Sequence, residues 1–162
     1  ILYSMTELWA NWTFYIHLQN TNDWSYESYF KLFKCNHLNQ VVSLNNEIGA
    51  ELLKKTLVFV MKDDIKPLWE EPRNREGGSF SFKIHNKDIE YVWRQILYHM
   101  IGGALVHDKT ILSNLNGISV SPKKTFCILK IWMNDCTYKN TNIFIPIKGI
   151  DYKGCMFKKH EY

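Results

Sequence analysis

The four cysteines are scattered along the 162 residues, and none of them lies in a Cys-x-x-Cys pair. Without such a pair a zinc site is not expected, and reduced thiols in a cytoplasmic protein are the default interpretation. No apolar run approaches about 18 residues, so the sequence predicts no membrane-spanning helix. We therefore expect a cytoplasmic protein that does not enter a membrane.

Motifs of the common enzyme classes are also missing. The sequence contains no Gly-x-Ser-x-Gly, P-loop lysine, His-Glu-x-x-His or Gly-x-Gly-x-x-Gly motif. Gly77 and Gly78 are followed by Ser79 instead of the lysine of a phosphate-binding loop. The carboxylates of Asp63 and Asp64 have no histidine or metal-ligand partner in the pattern, and the histidines show no ligand spacing. We therefore predict a protein that is not an enzyme and that needs no metal or cofactor.

The composition is that of a globular protein with a mild excess of positive charge. Hydrophobic residues make up 46% and charged residues 22%, and the formal net charge is +4. A charge of this size favours a polyanionic partner without indicating a protein that coats nucleic acid. The length suffices for one hydrophobic core, so we expect a single domain over residues 1–162 and a monomer.

Strand-like patterns outnumber helical ones. Alternating or β-branched stretches predict strands at residues 8–18, 26–35, 56–61, 79–85, 117–120, 126–133 and 155–159. Asn36 is a candidate cap for a short helix, and apolar residues at three- and four-residue steps predict a longer helix over residues 89–101. Since strand and helix do not alternate regularly, the predicted fold class is α+β, with an antiparallel sheet backed by helices on one face.

A polar segment over residues 66–78 contains the most informative side chains. Trp69 and Glu70 lie in it, although a loop seldom carries tryptophan because the large apolar ring is left in water. With a second loop tryptophan, Trp24, it could hold a flat cationic ring while Glu70 accepts hydrogen bonds from the edge of that ring. This is the chemistry that 7-methylguanosine requires, and Lys123 and Lys124 in a hairpin turn could meet its phosphates. The alternative is that the tryptophans plug the ends of the sheet and that the acidic and basic residues are solvated.

Two motifs and the tryptophan positions give the chain a family resemblance. Residues 62–70 fit Lys-x-x-Ile-x-Pro-x-Trp-Glu and are followed by Gly-Gly, and residues 131–136 read Ile-Trp-Met-Asn-Asp-Cys. The chain resembles the eukaryotic messenger-RNA cap-binding proteins of the initiation factor 4E family from about residue 8 to residue 136. All six tryptophans stand at positions where that family has tryptophan: Trp9, Trp12, Trp24, Trp69, Trp93 and Trp132.

The resemblance implies a fold and a ligand, the 7-methylguanosine cap nucleotide. It implies a curved antiparallel sheet of about eight strands with about three helices on the convex side. Trp24 and Trp69 would stack on the cap base, and Glu70 would accept hydrogen bonds from the guanine edge. Trp132 would lie beside the N7 methyl group, and Lys123 would contact phosphate.

Two departures from the family pattern concern the phosphates. Ser79 and Ile128 stand where the family usually has basic residues, so the phosphate contacts are either fewer or rebuilt from other cations. We expect the triphosphate to contribute less to affinity than in typical members. The candidate phosphate-binding residues are Lys123, Lys124, Lys130 and Arg75, with Arg73 as a further possibility.

Further departures concern the expected partner surface on the convex helices. Val42 stands where family members present a tryptophan to an adaptor peptide, and Arg94 and Gln95 replace an apolar residue and a glutamate. Losing a large aromatic anchor commonly removes a binding hot spot. The surface is assigned to Leu38, Val42, Arg94, Gln95 and Ile101.

Three functions remain open at this point. The first is a translation initiation factor that binds capped mRNA and a scaffold factor of the 4G type, or a 4E-binding regulatory protein. The second is a cap-sequestering repressor or storage protein that does not bind the usual scaffold. An enzyme acting on caps is the third and weakest interpretation, because no catalytic constellation was found.

Overall fold

The computed structural model describes residues 7–161. Seven strands form one curved antiparallel sheet in the order β2-β1-β3-β5-β6-β4-β7. The strands are β1 (Glu7–Leu18), β2 (Phe30–His37), β3 (Thr56–Lys62), β4 (Gly78–His85), β5 (Leu115–Pro122), β6 (Phe126–Met133) and β7 (Met156–Lys159). Within the described residues the sheet thus has seven strands, close to the expected eight.

Three of the four α-helices pack on one face of this sheet. The helices are α1 (Leu38–Glu47), α2 (Ala50–Leu53), α3 (Pro72–Arg75) and α4 (Ile89–Ile101), and short 3₁₀ turns cover Tyr26–Ser28, Lys109–Asn114 and Thr141–Ile143. Side chains of α1, α2 and α4 share one buried cluster with the sheet, whereas α3 lies in the loop between β3 and β4. This arrangement confirms the predicted α+β class, with helices on one side.

Alternation along the strands separates two chemically different faces. On β1, Trp12 and Phe14 are fully buried in the cluster beneath the helices. Tyr15 points to the opposite face, where it joins a smaller cluster with Phe59 and Trp132. Because successive side chains of a strand point to opposite sides, the same strands build the hydrophobic core on one face and an aromatic, partly open surface on the other.

Some predicted boundaries shift in the structure. The second strand begins at Phe30 and not at residue 26, because Tyr26–Ser28 forms a 3₁₀ turn. The N-cap of α1 is His37 and not Asn36, since the Asn36 side chain hydrogen-bonds the His37 ring at 2.6 Å instead of capping the helix. Over residues 7–161 no helix is both long and apolar enough to cross a membrane.

Candidate functional site

A cleft of about 470 Å³ opens on the face of the sheet away from the helices. Its size falls within the ordinary range of small-ligand sites. Two loops and three strands supply the lining residues, which are Trp24, Tyr29, Leu57, Phe59, Pro67, Leu68, Trp69, Glu70, Ser119, Val120, Lys130 and Trp132. The structure therefore brings Trp24, Trp69, Glu70 and Trp132, which are far apart in the sequence, to one cleft.

Trp24 forms one wall of the cleft and is supported from behind. Its ring stacks on the His17 imidazole with a centroid distance of 4.1 Å and an interplanar angle of 6°. The His17 ring is buried and is held in place by its two nitrogens, which lie 2.8 Å from the backbone oxygens of Leu18 and Asp23. Since Trp24 remains 49% exposed, one indole face is covered while the remainder is open to the cleft.

Trp69 forms another wall and is supported by hydrogen bonds within its loop. The buried Asn74 amide donates to the backbone oxygens of Lys66 at 3.0 Å and Leu68 at 2.9 Å. The Asn74 side-chain oxygen in turn accepts from the Asn116 amide at 2.8 Å. Trp69 itself is 47% exposed. Neither loop tryptophan is buried, which contradicts the alternative that they plug the sheet.

Two glycines close this loop onto the sheet. A Cβ at Gly77 would stand 1.8 Å from the backbone oxygen of Met133, and one at Gly78 would stand 2.6 Å from the backbone oxygen of Lys158. Both distances are far below contact, so only glycine allows the chain to pass between β6 and β7. The Trp69 loop therefore needs glycine at both positions of the Gly-Gly motif, because a larger residue would overlap the neighbouring strands.

The two adjacent glutamates of the loop have different roles. Glu71 caps α3 by accepting from the Arg73 backbone N–H, and its other oxygen pairs with the Arg73 side chain at 2.9 Å. Glu70 lines the cleft. Burial raises the pKa of the Tyr29 hydroxyl to about 12, and the negative charge of Glu70 contributes to that rise. Glu70 therefore places a carboxylate close to Tyr29 in the cleft.

Trp132 forms the floor between the two walls. Its indole N–H donates to the Ser119 hydroxyl at 3.0 Å, and its ring packs edge-on against Phe59 at 6.3 Å. The ring is only 7% exposed, so it is held rigidly in the sheet while one edge faces the cleft.

A second cavity of about 380 Å³, which we call the β7 cavity, adjoins the cleft. Its lining residues are Trp69, Ser79, Ser81, Lys130, Trp132, Lys158, Lys159 and His160. Trp69, Lys130 and Trp132 line both spaces. Burial lowers the pKa of the Lys130 ammonium, and the nearby charges of Lys123 and Lys158 lower it further. The β7 cavity is thus crowded with positive charge.

His160 links the β7 cavity to the Trp69 loop. Its Nδ1 lies 2.7 Å from the backbone oxygen of Asn74, and its Nε2 lies 2.6 Å from the Ser79 hydroxyl. The ring also packs on Trp132 with a centroid distance of 5.1 Å. Burial lowers the pKa of the His160 imidazole. Although a serine beside a histidine is a pair that hydrolases use, Ser79 is only 4% exposed within β4, so its hydroxyl serves the packing of β7.

The four candidate phosphate-binding residues, all described in the structure, do not converge. Lys130 lines both the cleft and the β7 cavity. Lys123 lies close enough to Lys130 to lower its pKa, but it lines neither space. Lys124 and Arg75 are exposed to solvent and also line neither space. Lys123 and Lys124 lie in the turn between β5 and β6, outside the lining of both spaces, and their contact with phosphate stays a prediction.

Several residues of the site were missed by the sequence analysis. They are His17 behind Trp24, Tyr29 beside Glu70, Asn74 under the Trp69 loop, and Lys158, Lys159 and His160 on and after β7. The Lys-Lys-His run of residues 158–160 was visible in the sequence, but lysines are common on edge strands such as β7, so the run alone did not indicate a site. The other residues became recognisable only through contacts between distant segments.

The predicted partner surface is only partly present. Leu38, Val42 and Gln95 are half-buried and Arg94 is exposed on the helical side of the molecule. Ile101, by contrast, is 1% exposed and belongs to the core. Its assignment to a contact surface was wrong, because the last turn of α4 faces inward onto the sheet.

Within residues 7–161 no group of histidine, cysteine or acidic side chains could hold a metal ion.

Comparison with known sequences identifies a family. A model of the family described as "Eukaryotic initiation factor 4E" matches residues 7–152. The chain is 32% identical over 92 residues to the "Eukaryotic translation initiation factor 4E homolog" of Acanthamoeba polyphaga mimivirus, covering 56% of this chain and 33% of that protein. It is 23% identical over 154 residues to "Eukaryotic translation initiation factor 4E-1" of Caenorhabditis elegans, covering 90% and 69%. It spans only 33–38% of the length of the mimivirus relative and of those from Eremothecium gossypii and Saccharomyces cerevisiae.

Solved structures give the same fold. The Caenorhabditis elegans eIF4E-3 in complex with the 4E-binding protein Mextli and cap analog has a TM-score of 0.77 at 17% identity, covering 95% of this chain and 92% of that one. The schistosome eIF4E complexed with m7GpppG and 4E-BP has a TM-score of 0.74 at 20% identity, covering 82% and 74%. With the family model matching most of the sequence and the sheet and helices arranged in the same way, this chain belongs to the eukaryotic initiation factor 4E family.

Proposed function

We propose that this chain binds the 7-methylguanosine cap of mRNA, with the base stacked between Trp24 and Trp69. The observation that carries the proposal is the cleft itself. Two half-exposed indoles and the Glu70 carboxylate face one space whose floor is the indole edge of Trp132. In the role proposed here, Glu70 accepts hydrogen bonds from the guanine edge, and Trp132 contacts the N7 methyl group.

The charge of the base explains why such a cleft would select it. Methylation at N7 gives guanine a delocalised positive charge, which is attracted to the electron-rich faces of two indoles. Stacking on an aromatic side chain contributes about 1–3 kcal/mol per base. A carboxylate that accepts from the ring edge forms a charge-assisted pair, about twice as strong as a neutral hydrogen bond. Unmethylated guanine keeps the shape but loses the charge, so it should bind much more weakly.

The biological role follows from the ligand and the relatives. The schistosome relative was solved with m7GpppG and 4E-BP, and the Caenorhabditis elegans relative with Mextli and cap analog. By analogy we infer that this chain is a cytoplasmic binding protein, not an enzyme, and that it supports cap-dependent initiation through a partner on the helical face. Its natural ligand would be capped mRNA.

A cap-sequestering repressor is the second candidate. The altered helical face favours it, because Val42 stands in place of a large aromatic anchor and Ile101 is buried. Recovery of the bound partners on a cap resin from cell extract separates the two roles. A scaffold of the 4G type among them supports initiation, and a cap-bound protein without any scaffold supports sequestration.

Tryptophan fluorescence tests cap binding directly. Titration with 7-methylguanosine triphosphate should quench the emission, and titration with plain guanosine triphosphate should not do so in the same concentration range. Trp69→Ala and Trp24→Ala should each weaken binding of the methylated nucleotide by about 1–3 kcal/mol while the fold is kept. Glu70→Gln should weaken binding at least as much, because the base edge would lose its charged acceptor.

A tryptophan outside the cleft provides the control. Trp9 is 40% exposed and does not line the cleft, so Trp9→Phe should bind the methylated nucleotide like the unaltered protein. Equal affinity for methylated and plain guanosine triphosphate would refute the proposed function. Unfolding of the Trp69→Ala variant would show instead that this ring supports the fold.

A further inference from the structure

We propose that the β7 cavity binds the phosphate chain of the cap nucleotide through Lys130 and Lys158, and that His160 takes up a proton when the phosphates bind. This inference rests on the proposed function, since it assumes that the base occupies the adjoining cleft. It assigns a ligand to the lysines of β7 and a titrating role to His160.

The β7 cavity is lined by positive charge. Lys130, Lys158, Lys159 and His160 line it, and no carboxylate stands among its lining residues, all of which lie within residues 7–161. Burial lowers the pKa of Lys130, and the positive charges of Lys123 and Lys158 act in the same direction. Like charges held close together in a partly dry space repel one another, and an anion placed among them removes that repulsion.

The β7 cavity lies within reach of a phosphate chain that starts at the cleft. Trp132 and Lys130, two residues apart on β6, line both the cleft and the β7 cavity. Ser79 of β4 pairs with Trp132 on one side and with Lys158 on the other. Since neighbouring strands are about 4.8 Å apart, Lys158 is two strand spacings, or about 10 Å, from Trp132 across the sheet. A phosphate chain that leaves a base above Trp132 can therefore reach the Lys158 ammonium.

This position also replaces a missing cation. Ser79 carries no charge, and its hydroxyl is occupied by His160 at 2.6 Å. The positive charge next to Ser79 comes from its cross-strand neighbour Lys158. Of the two possibilities raised by the sequence, fewer phosphate contacts or rebuilt contacts, the geometry favours rebuilding around Lys130 with a lysine that the sequence analysis did not name.

The hydrogen bonds of His160 are compatible with both the neutral and the protonated ring. The backbone oxygen of Asn74 can only accept, so Nδ1 carries the proton and donates to it. In the neutral ring Nε2 then accepts from the Ser79 hydroxyl. On protonation Nε2 becomes a donor, and the hydroxyl can accept from it after rotating. His160 can thus gain a proton without losing either partner.

The surroundings set the direction of the proton linkage. Burial is the main cause that lowers the pKa of His160, and Lys130 lowers it further, against the opposing effect of the bond to Asn74. The other charged groups of the β7 cavity are Lys158 and Lys159, whereas β4 and α3 contribute the uncharged hydroxyls of Ser79 and Ser81 and the Asn74 carbonyl. A bound phosphate opposes the positive charges, raises the pKa of His160 and causes proton uptake on binding.

A phosphate series tests the position of the phosphates. Affinities are measured for 7-methylguanosine and its mono-, di- and triphosphates with the unaltered protein, with Lys158→Gln and with the control Lys148→Gln. Lys148 is exposed and lines neither space, so its removal changes the net charge by the same amount. We expect Lys158→Gln to lose about 5- to 20-fold in affinity for the triphosphate, the cost of a lost charged hydrogen bond, and to bind the nucleoside unchanged.

The outcomes of this series are distinguishable. If Lys158→Gln and Lys148→Gln bind the triphosphate equally well, Lys158 does not contact phosphate and the inference is overturned. If the nucleoside binds but phosphates add no affinity, the inference also fails while the proposed function stands. If none of the methylated compounds binds, the proposed function itself fails.

Calorimetry tests the proton uptake. The dinucleotide m7GpppG has no terminal phosphate that titrates near neutrality, so its binding is measured at pH 6.0 to 7.5 in buffers of different ionisation enthalpy. The unaltered protein should take up a fraction of a proton that is absent in His160→Gln, and its affinity relative to that variant should rise several-fold toward pH 6, because a bound phosphate raises the pKa of His160. The nucleoside, which lacks phosphates, supplies the correction for the base. Equal proton uptake by His160→Gln and the unaltered protein would overturn the role of His160.

Discussion

At the scale of single residues, the two tryptophan walls of the cleft are supported in different ways. Trp24 rests on a ring, because the buried His17 stacks behind it at 4.1 Å. Within residues 7–161 no aromatic ring stacks behind Trp69. Its position depends on Asn74 and on the backbone of its own loop. A tryptophan that is already held in its binding orientation loses less conformational entropy when a ligand binds. Removing either support should therefore lower cap affinity.

Replacing His17 tests the support of Trp24. His17→Ala removes a stacked ring, whose contact is worth about 0.5–1.5 kcal/mol, and we expect cap affinity to fall by a similar amount. His17→Phe keeps a ring for the stack but loses the hydrogen bonds to Leu18 and Asp23, so it should lie between alanine and the unaltered protein. Fluorescence titration with 7-methylguanosine triphosphate measures both.

The control for this series is His85→Ala, since His85 is exposed on β4 and lines neither the cleft nor the β7 cavity. It should bind like the unaltered protein. Unchanged affinity in His17→Ala would mean that the loop orients Trp24 without the imidazole.

At the scale of elements, the loop between β3 and β4 depends on interactions that no local pattern encodes. Its four-residue helix α3 buries Asn74, which bonds to two carbonyls of the loop, to Asn116 of β5 and, through its own backbone oxygen, to His160 after β7. The motif predicted correctly that Trp69 and Glu70 would be presented together. It could not predict that an asparagine five residues beyond Trp69 would hold them there.

Replacing Asn74 tests this dependence. Asn74→Asp keeps an oxygen for the Asn116 amide but cannot donate to the carbonyls of Lys66 and Leu68. An unsatisfied buried carbonyl costs about 1–3 kcal/mol, so the loop should open locally and cap affinity should fall. Hydrogen exchange should show faster exchange of the amides of residues 66–71, with the amides of α4 unaffected.

An exposed asparagine supplies the comparison. Asn142→Asp makes the same chemical change on the surface, in the 3₁₀ turn Thr141–Ile143, and should alter neither exchange in residues 66–71 nor affinity. If Asn74→Asp exchanges and binds like Asn142→Asp, the loop is held by its glycines and backbone alone.

At the scale of the whole molecule, the main hydrophobic core and the proposed binding cleft lie on opposite faces of the sheet. The helical face holds most of the buried residues, including Trp93 of α4, which is 1% exposed and donates to Asn45 of α1 at 2.9 Å. The opposite face holds the cleft and the β7 cavity. A change on the helical face should therefore alter unfolding before it alters cap binding.

Trp93→Ala tests this separation. Removing a buried tryptophan leaves a cavity and should lower the free energy of unfolding by about 3–5 kcal/mol in urea denaturation. Trp93→Phe keeps most of the ring and should cost less, although the Asn45 oxygen loses its donor. The folded fraction of either variant should bind the cap with unchanged affinity. A large loss of affinity in Trp93→Phe would show that the two faces are coupled.

The predictability of the molecule differs between its two faces. The alternation of Trp12 and Phe14 with polar neighbours, and the stripe from Ile89 to Ile101, predicted the buried face because a period of two or of 3.6 residues is a local property. The same stripe includes Ile101, which the structure buries, whereas the family resemblance had assigned Ile101 to a contact surface. Which turn of a helix faces the sheet depends on packing, and packing is not local.

The amino-acid sequence by itself determined the α+β class and most strand and helix positions, because periodicity is a local property of the chain. Which tryptophans and which glutamate share one cleft was an expectation from the family resemblance. Only the tertiary structure decided that His17 lies behind Trp24, that Asn74 holds the Trp69 loop, and that Lys158 and His160 stand beside Lys130. These pairs are separated by up to 86 residues, as for Asn74 and His160. Strand order and register bring them together, and both depend on the side chains of all seven described strands at once.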